Sequence, residues 1–120
     1  RILSKYQLHT NADDIHHVLH AAACIVTDSL TMAQEGAVLG TASVRLSDFG
    51  LQMSQFKAIA KYELIYNFAP EQTETALAAI DQVLIYDAAG EISRRSKKMI
   101  DELEDTLPYF IDTILDQLDQ

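Results

Sequence analysis

All four histidines of the chain, His9, His16, His17 and His20, lie between positions 9 and 20. Their side chains are the ones best suited to chemistry. His16 and His20 are four residues apart, so on a helix both imidazoles share one face and could bind a common Zn²⁺ or Ni²⁺. Asp13 falls on the same side, with Cys24 one turn beyond His20. The set needs a further acid from another element. It lacks the His-Glu-x-x-His pattern, a repeated Glu-x-x-His and a second histidine-bearing segment, so the expected cofactor content is none. His17 points farther outward, as a phosphoryl acceptor would. However, no lysine or arginine lies between Lys5 and Arg45 to hold a phosphoryl group, and Asp13 and Asp14 would repel it. Cys24 can neighbour His20, but the pattern supplies no third orienting group, which points to a small packed thiol.

The tyrosines form a second candidate constellation. Tyr62 and Tyr66 are one helical turn apart, while Tyr86 and Tyr109 fall on later segments. Together they could line an aromatic cleft for a small molecule. The alternative is that each sits at a helix boundary with its ring buried and its hydroxyl in water. The four glycines stand alone, and no phosphate-binding loop, dinucleotide fingerprint or nucleophile elbow is present.

The last twenty residues carry seven acids and no base, together with a broad apolar set. Ile111, Leu115 and Leu118 are the residues expected to meet a partner, most simply a second copy of the chain. The one basic cluster is Arg94, Arg95, Lys97 and Lys98. Helical spacing would match Glu91 with Arg95, Lys97 with Asp101 and Lys98 with Glu102. A net charge of −9 makes nucleic acid an unexpected partner. No apolar run approaches the ~20 residues that span a bilayer, so no membrane association is expected. A single cysteine excludes an internal disulfide, and the expected compartment is the cytoplasm.

The elements that would carry these residues follow from apolar spacing. Ile15, Val18, Leu19, Ala22, Ile25, Val26, Leu30 and Ala33 recur at helical steps, as do Ala42, Leu46, Phe49, Met53, Phe56, Ala60, Leu64 and Phe68. Residues 1–10 read as an arm or lead-in and 11–120 as one domain. A first helix capped at Thr10 or Asn11 would run to Gly36, and a second would span 41–67, breakable at Gly50. A third would run from Pro70 to Gly90. The fourth would run from Glu91 to Leu118, kinked or restarted at Pro108 with Thr106 as its cap. Short junctions make such helices antiparallel neighbours, so the expected fold is an all-α, up-down-up-down four-helix bundle. One local alternative is a hairpin over Val83–Ser93, with Asp87–Gly90 as its turn. No motif is specific enough to transfer a residue role. The expected function is a non-catalytic interaction or regulatory module that self-associates as a homodimer. The alternative is a sensory or ligand-binding bundle, and the third reading is a metal-binding one.

Overall fold

The computed structural model describes residues 14–119. Its order is α1 (Ile15–Ala21), β1 (Ile25–Thr27), α2 (Leu30–Val38), β2 (Ser43–Leu46), α3 (Ser54–Ala60), β3 (Ile65–Phe68), α4 (Thr73–Ala88), α5 (Glu91–Leu103) and α6 (Pro108–Leu118). The strands form a three-stranded parallel sheet in the order β1-β2-β3. Ile25 pairs with Ser43 and Thr27 with Arg45; Ser43 pairs with Ile65 and Arg45 with Asn67. The all-α bundle is therefore wrong, and α/β is the correct class. Helix α2 connects β1 to β2 and α3 connects β2 to β3, the crossovers that parallel neighbours require.

The error has a physical origin. A parallel strand buried on both faces loses the polar-apolar alternation that marks a half-exposed strand. Ser43, Val44 and Arg45 are all fully buried, so nothing in β2 alternates. Strands of three or four residues also fit within a single helical repeat. The expected first helix stops at Ala21, because Ile25-Val26-Thr27 is β-branched throughout and extends into the sheet. Ser29 then caps α2, its Oγ accepting from the Met32 N–H at 3.1 Å. The expected second helix dissolves into β2, a loop, α3 and β3. Gly50 and Glu63, with φ of 83° and 60°, turn the chain before α3 and before β3 respectively.

Gly36 does not end a helix as expected. It lies within α2, where a Cβ would come 2.5 Å from Ile25 Cδ1 and 3.5 Å from Ser43 Oγ. Its missing side chain brings α2 close to the sheet. Residues alternate across a strand, so the face of Ile25 and Ser43 that meets α2 also carries Thr27, Arg45 and Asn67. Val44 and Tyr66 belong to the other face. Helix α4 packs on β2 and β3, and α5 packs on both α4 and α2.

The later boundaries follow the sequence reading more closely. Gly90, at φ 77°, separates α4 from α5, and Val83–Ser93 is helical apart from this junction, which removes the hairpin. Pro108 opens a new helix at its first position, where the missing N–H costs no internal bond. Leu107, not Thr106, occupies the cap. The central core joins Val44, Ile59, Leu64, Val83, Ile92 and Met99, all at most 1% exposed. The N-terminal arm, the expected Thr10 or Asn11 cap and Asp13 lie outside the described residues.

Candidate anion-binding site at the carboxyl edge of the sheet

The carboxyl ends of the three strands converge on residues 27–31, 45–49 and 67–69. Arg45 is the unusual member. It is 0% exposed, on the α2 face of the central strand. One terminal nitrogen donates to Asn67 Oδ1 at 2.7 Å and the other to the Phe49 carbonyl. Asn67 in turn donates to the Ser47 carbonyl, so the strand ends and the β2–α3 loop are locked together. Among the described residues the Arg45 Nε has no hydrogen-bond partner and no carboxylate comes within 4 Å of the guanidinium. Burial pulls its pKa below the ordinary arginine value, and the more distant charge of Asp28 pushes it back up. A buried cation without a counter-ion is expensive unless something completes it.

The start of α2 is the second component. Gly36 lies against Ser43, and α2 begins six residues earlier, or ~9 Å back along the helix axis. Arg45 lies two residues beyond Ser43, ~7 Å along the strand in the same direction. The N-terminal turn of α2 and Arg45 therefore reach the same level. The Leu30 and Thr31 N–H groups have no acceptor inside the helix, and Ser29 Oγ already serves Met32. Thr27 Oγ1 accepts from the Ser29 N–H at 3.0 Å, shaping the turn into the helix. The β2–α3 loop closes one side, since Gly50 lies so near Leu30 that a Cβ would come 2.6 Å from Leu30 Cδ2. On that loop Phe49 and Met53 are 73% and 49% exposed.

The residues singled out from the sequence lie elsewhere. His16 Nε2 is 3.5 Å from Glu35 Oε2, and His20 Nδ1 donates to the Leu39 carbonyl at 2.8 Å. Both contacts join α1 to α2, each partner lying nineteen positions on, so the two helices run side by side in the same direction. Among the described residues no group of three or more His, Cys, Asp or Glu side chains is placed to hold a metal. Burial pushes the Cys24 thiol above its ordinary pKa, a hydrogen bond with the Val44 backbone opposes this, and the charge of Asp87 adds a smaller upward push.

Three of the four candidate tyrosines, Tyr62, Tyr66 and Tyr86, contact α5. Tyr62 donates to Glu102 at 3.1 Å, Tyr66 accepts from Arg95 at 2.7 Å, and the Arg95 guanidinium lies 4.6 Å from the centre of the Tyr86 ring. Lys61, Tyr62, Arg94, Arg95 and Lys98 border a cleft of about 310 Å³ there, beside Glu63 and Glu91. Tyr109 is apart from them on α6, 85% exposed. Ile111 belongs to the chain's own core at 2% exposure, whereas Leu115 and Leu118 line a shallow apolar groove with Val38, Leu39 and Ile100.

Arg45 carried no weight in the sequence reading. The available signal was an arginine inside the run Ala42-Ser43-Val44-Arg45-Leu46, followed by Ser47 and Asp48. A charge there is either a surface residue or a buried one with a task. Similarly, Ile25-Val26-Thr27 followed by Asp28-Ser29 reads as a strand turning into a capped helix. The chain matches no protein-family model, no curated protein and no solved structure. No helix among the described residues is long and apolar enough to cross a membrane.

Proposed function

We propose that this chain is a small-molecule-binding α/β unit that receives a phosphate-bearing ligand at the carboxyl edge of its sheet. The observation that carries this reading is Arg45, a buried cation level with the first turn of α2 and with no carboxylate within 4 Å among the described residues. Open parallel sheets offer their ligand crevice at that edge, and the N–H groups and dipole of a helix start favour anions. A phosphoryl group on the Leu30 and Thr31 N–H groups would feel the Arg45 charge through a dry layer, where the attraction is weakly screened. The exposed Phe49 and Met53 side chains offer apolar contact to the rest of such a ligand. The proposed role is binding. Among the described residues, no hydroxyl at this edge is hydrogen-bonded to a histidine or carboxylate that could activate it.

Titration with pyrophosphate, followed through backbone amide chemical shifts, tests the proposal. Shifts should concentrate at residues 29–32 and 45–50. Leu30→Pro is the key variant. It removes one N–H donor at a helical position that accepts proline, and Ser29 already has the extended backbone required before one. It should weaken binding about tenfold, a loss of roughly 1.4 kcal/mol, while the fold persists. Arg45→Met should weaken it further. Pyrophosphate that shifts no amide at this edge would reject the reading.

A further inference from the structure

Helix α5 reverses its charge along its length. Arg94, Lys97 and Lys98 stand exposed on its first half, and Asp101 and Glu102 on the second half, with Glu104 and Asp105 just beyond. The expected pairing within the helix is only partly made. Glu91 takes both Arg94 and Arg95, at 2.9 and 3.3 Å. Lys97 and Lys98 have no carboxylate within 4 Å among the described residues, and Glu102 is engaged by the Tyr62 hydroxyl. A ridge with unmatched charges of both signs, separated end from end, is complementary to a reversed copy of itself.

We propose that two copies of this chain pair through the exposed ridge of α5, antiparallel, around a two-fold axis that crosses the ridge between Lys98 and Asp101, at the level of the Met99–Ile100 peptide. A two-fold contact must be self-complementary, since the same patch is used on both sides. With the axis at that point Arg94 faces Asp105 of the second copy, Lys97 faces Glu102 and Lys98 faces Asp101, and the symmetry repeats each pair. The charged stripe from Arg94 to Asp105 is ~16 Å long. Apolar cover lies beside it. The shallow groove of about 260 Å³ that Ile100, Leu115 and Leu118 help to line has Lys97 on its rim, so a copy on the ridge also shields that groove. Among the described residues this ridge carries all the exposed basic side chains except Lys57 and Lys61; Arg45 is buried and Arg95 is half-buried behind the ridge. A strongly acidic chain therefore has one short surface where a second acidic chain meets opposite charge. The contact is independent of the carboxyl-edge site, and its test uses no ligand.

The experiment is a charge-swap pairing read by sedimentation equilibrium. One variant carries Arg94→Glu and Lys98→Glu, the other Asp101→Lys and Asp105→Lys. The parent chain should sediment as a dimer. Each variant alone places like charges opposite one another and should raise the dimer dissociation constant at least about 100-fold. Mixed in equal amounts, the two are complementary again and should associate within about tenfold of the parent. Circular dichroism of each variant, unchanged from the parent, shows that the fold persists. A parent that is monomeric at millimolar concentration overturns the proposal. So does dimerisation of either variant alone at the parent's strength, or folded variants that fail to associate when mixed.

Discussion

Tyr66 accepts a 2.7 Å hydrogen bond from Arg95, and this single contact ties the edge strand β3 to α5. Tyr66 lies on the sheet face away from α2, while Ser96 of α5 donates to the Ala37 carbonyl of α2 at 2.6 Å, so α5 is held to both α2 and β3. Arg95 also donates to the Glu63 carbonyl at 2.9 Å and stacks on Tyr86. The guanidinium thereby joins β3, the turn before it, α4 and α5.

Removing that junction should be measurable in urea. Arg95→Ala is expected to destabilise by about 1–2 kcal/mol, since it strands the partly buried Tyr66 hydroxyl and loses the stacking on Tyr86, while water can replace it at the exposed Glu63 carbonyl. Tyr66→Phe should cost about 1 kcal/mol. The double variant should cost less than the sum, with a coupling of at least about 0.5 kcal/mol. Strict additivity would show that the bond contributes nothing in solution.

Gly50 closes the loop over α2 in a left-handed conformation, φ 83°, against Leu30. Gly50→Ala should cost about 1–2 kcal/mol through backbone strain and crowding. Pyrophosphate affinity should fall with it if the loop shapes the site. A stability equal to the parent's would mean that the loop relaxes freely.

Glu91 supplies a pH test. The Arg94 hydrogen bond holds its carboxyl below the ordinary glutamate range; desolvation opposes this, and the Arg95 hydrogen bond and the two guanidinium charges add to the lowering. A depressed folded-state pKa adds stability above the unfolded-state value, about 4.3, and that stability is lost as pH falls through the lower folded value. Stability of Glu91→Gln should therefore change less with pH on the acid side of 4.3 than that of the parent. Parallel curves for the two proteins would exclude Glu91 as a contributor.

The Cys24 thiol should react slowly. Burial raises its pKa, so the thiolate fraction at pH 7 is below that of a free cysteine. Iodoacetamide labelling of the folded chain is expected to be at least about tenfold slower than labelling in urea. Equal rates would show an exposed, ordinary thiol.

The amphipathic C-terminal half was legible because α5 and α6 each bury one face, and because Gly90 and Pro108 punctuate them in the ways their backbones dictate. The strands were not legible. Val44 packs against one layer while Ser43 and Arg45 pack against the other, so burial imposes no alternation on their types. Arg45 itself looks like a surface residue until its neighbours Thr27 and Asn67 are known, and those are eighteen and twenty-two positions away. The histidine spacing was real, but His16 and His20 use it to register α1 against α2.

That same eighteen and twenty-two residue spacing governs how the sheet can assemble. With every strand parallel, no hairpin can form first and grow; each pairing waits for a loop of about twenty residues to close around a helix. Because β2 alone has a neighbour on each side, it belongs to both closures, and neither outer strand can be held without it. The rate-limiting structure in refolding is therefore expected to be β2 docked with one crossover. Truncating Val44 should slow refolding, whereas truncating Ile111 on the late α6 should chiefly speed unfolding. A chain arrested before β2 docks would display helices and no sheet at all.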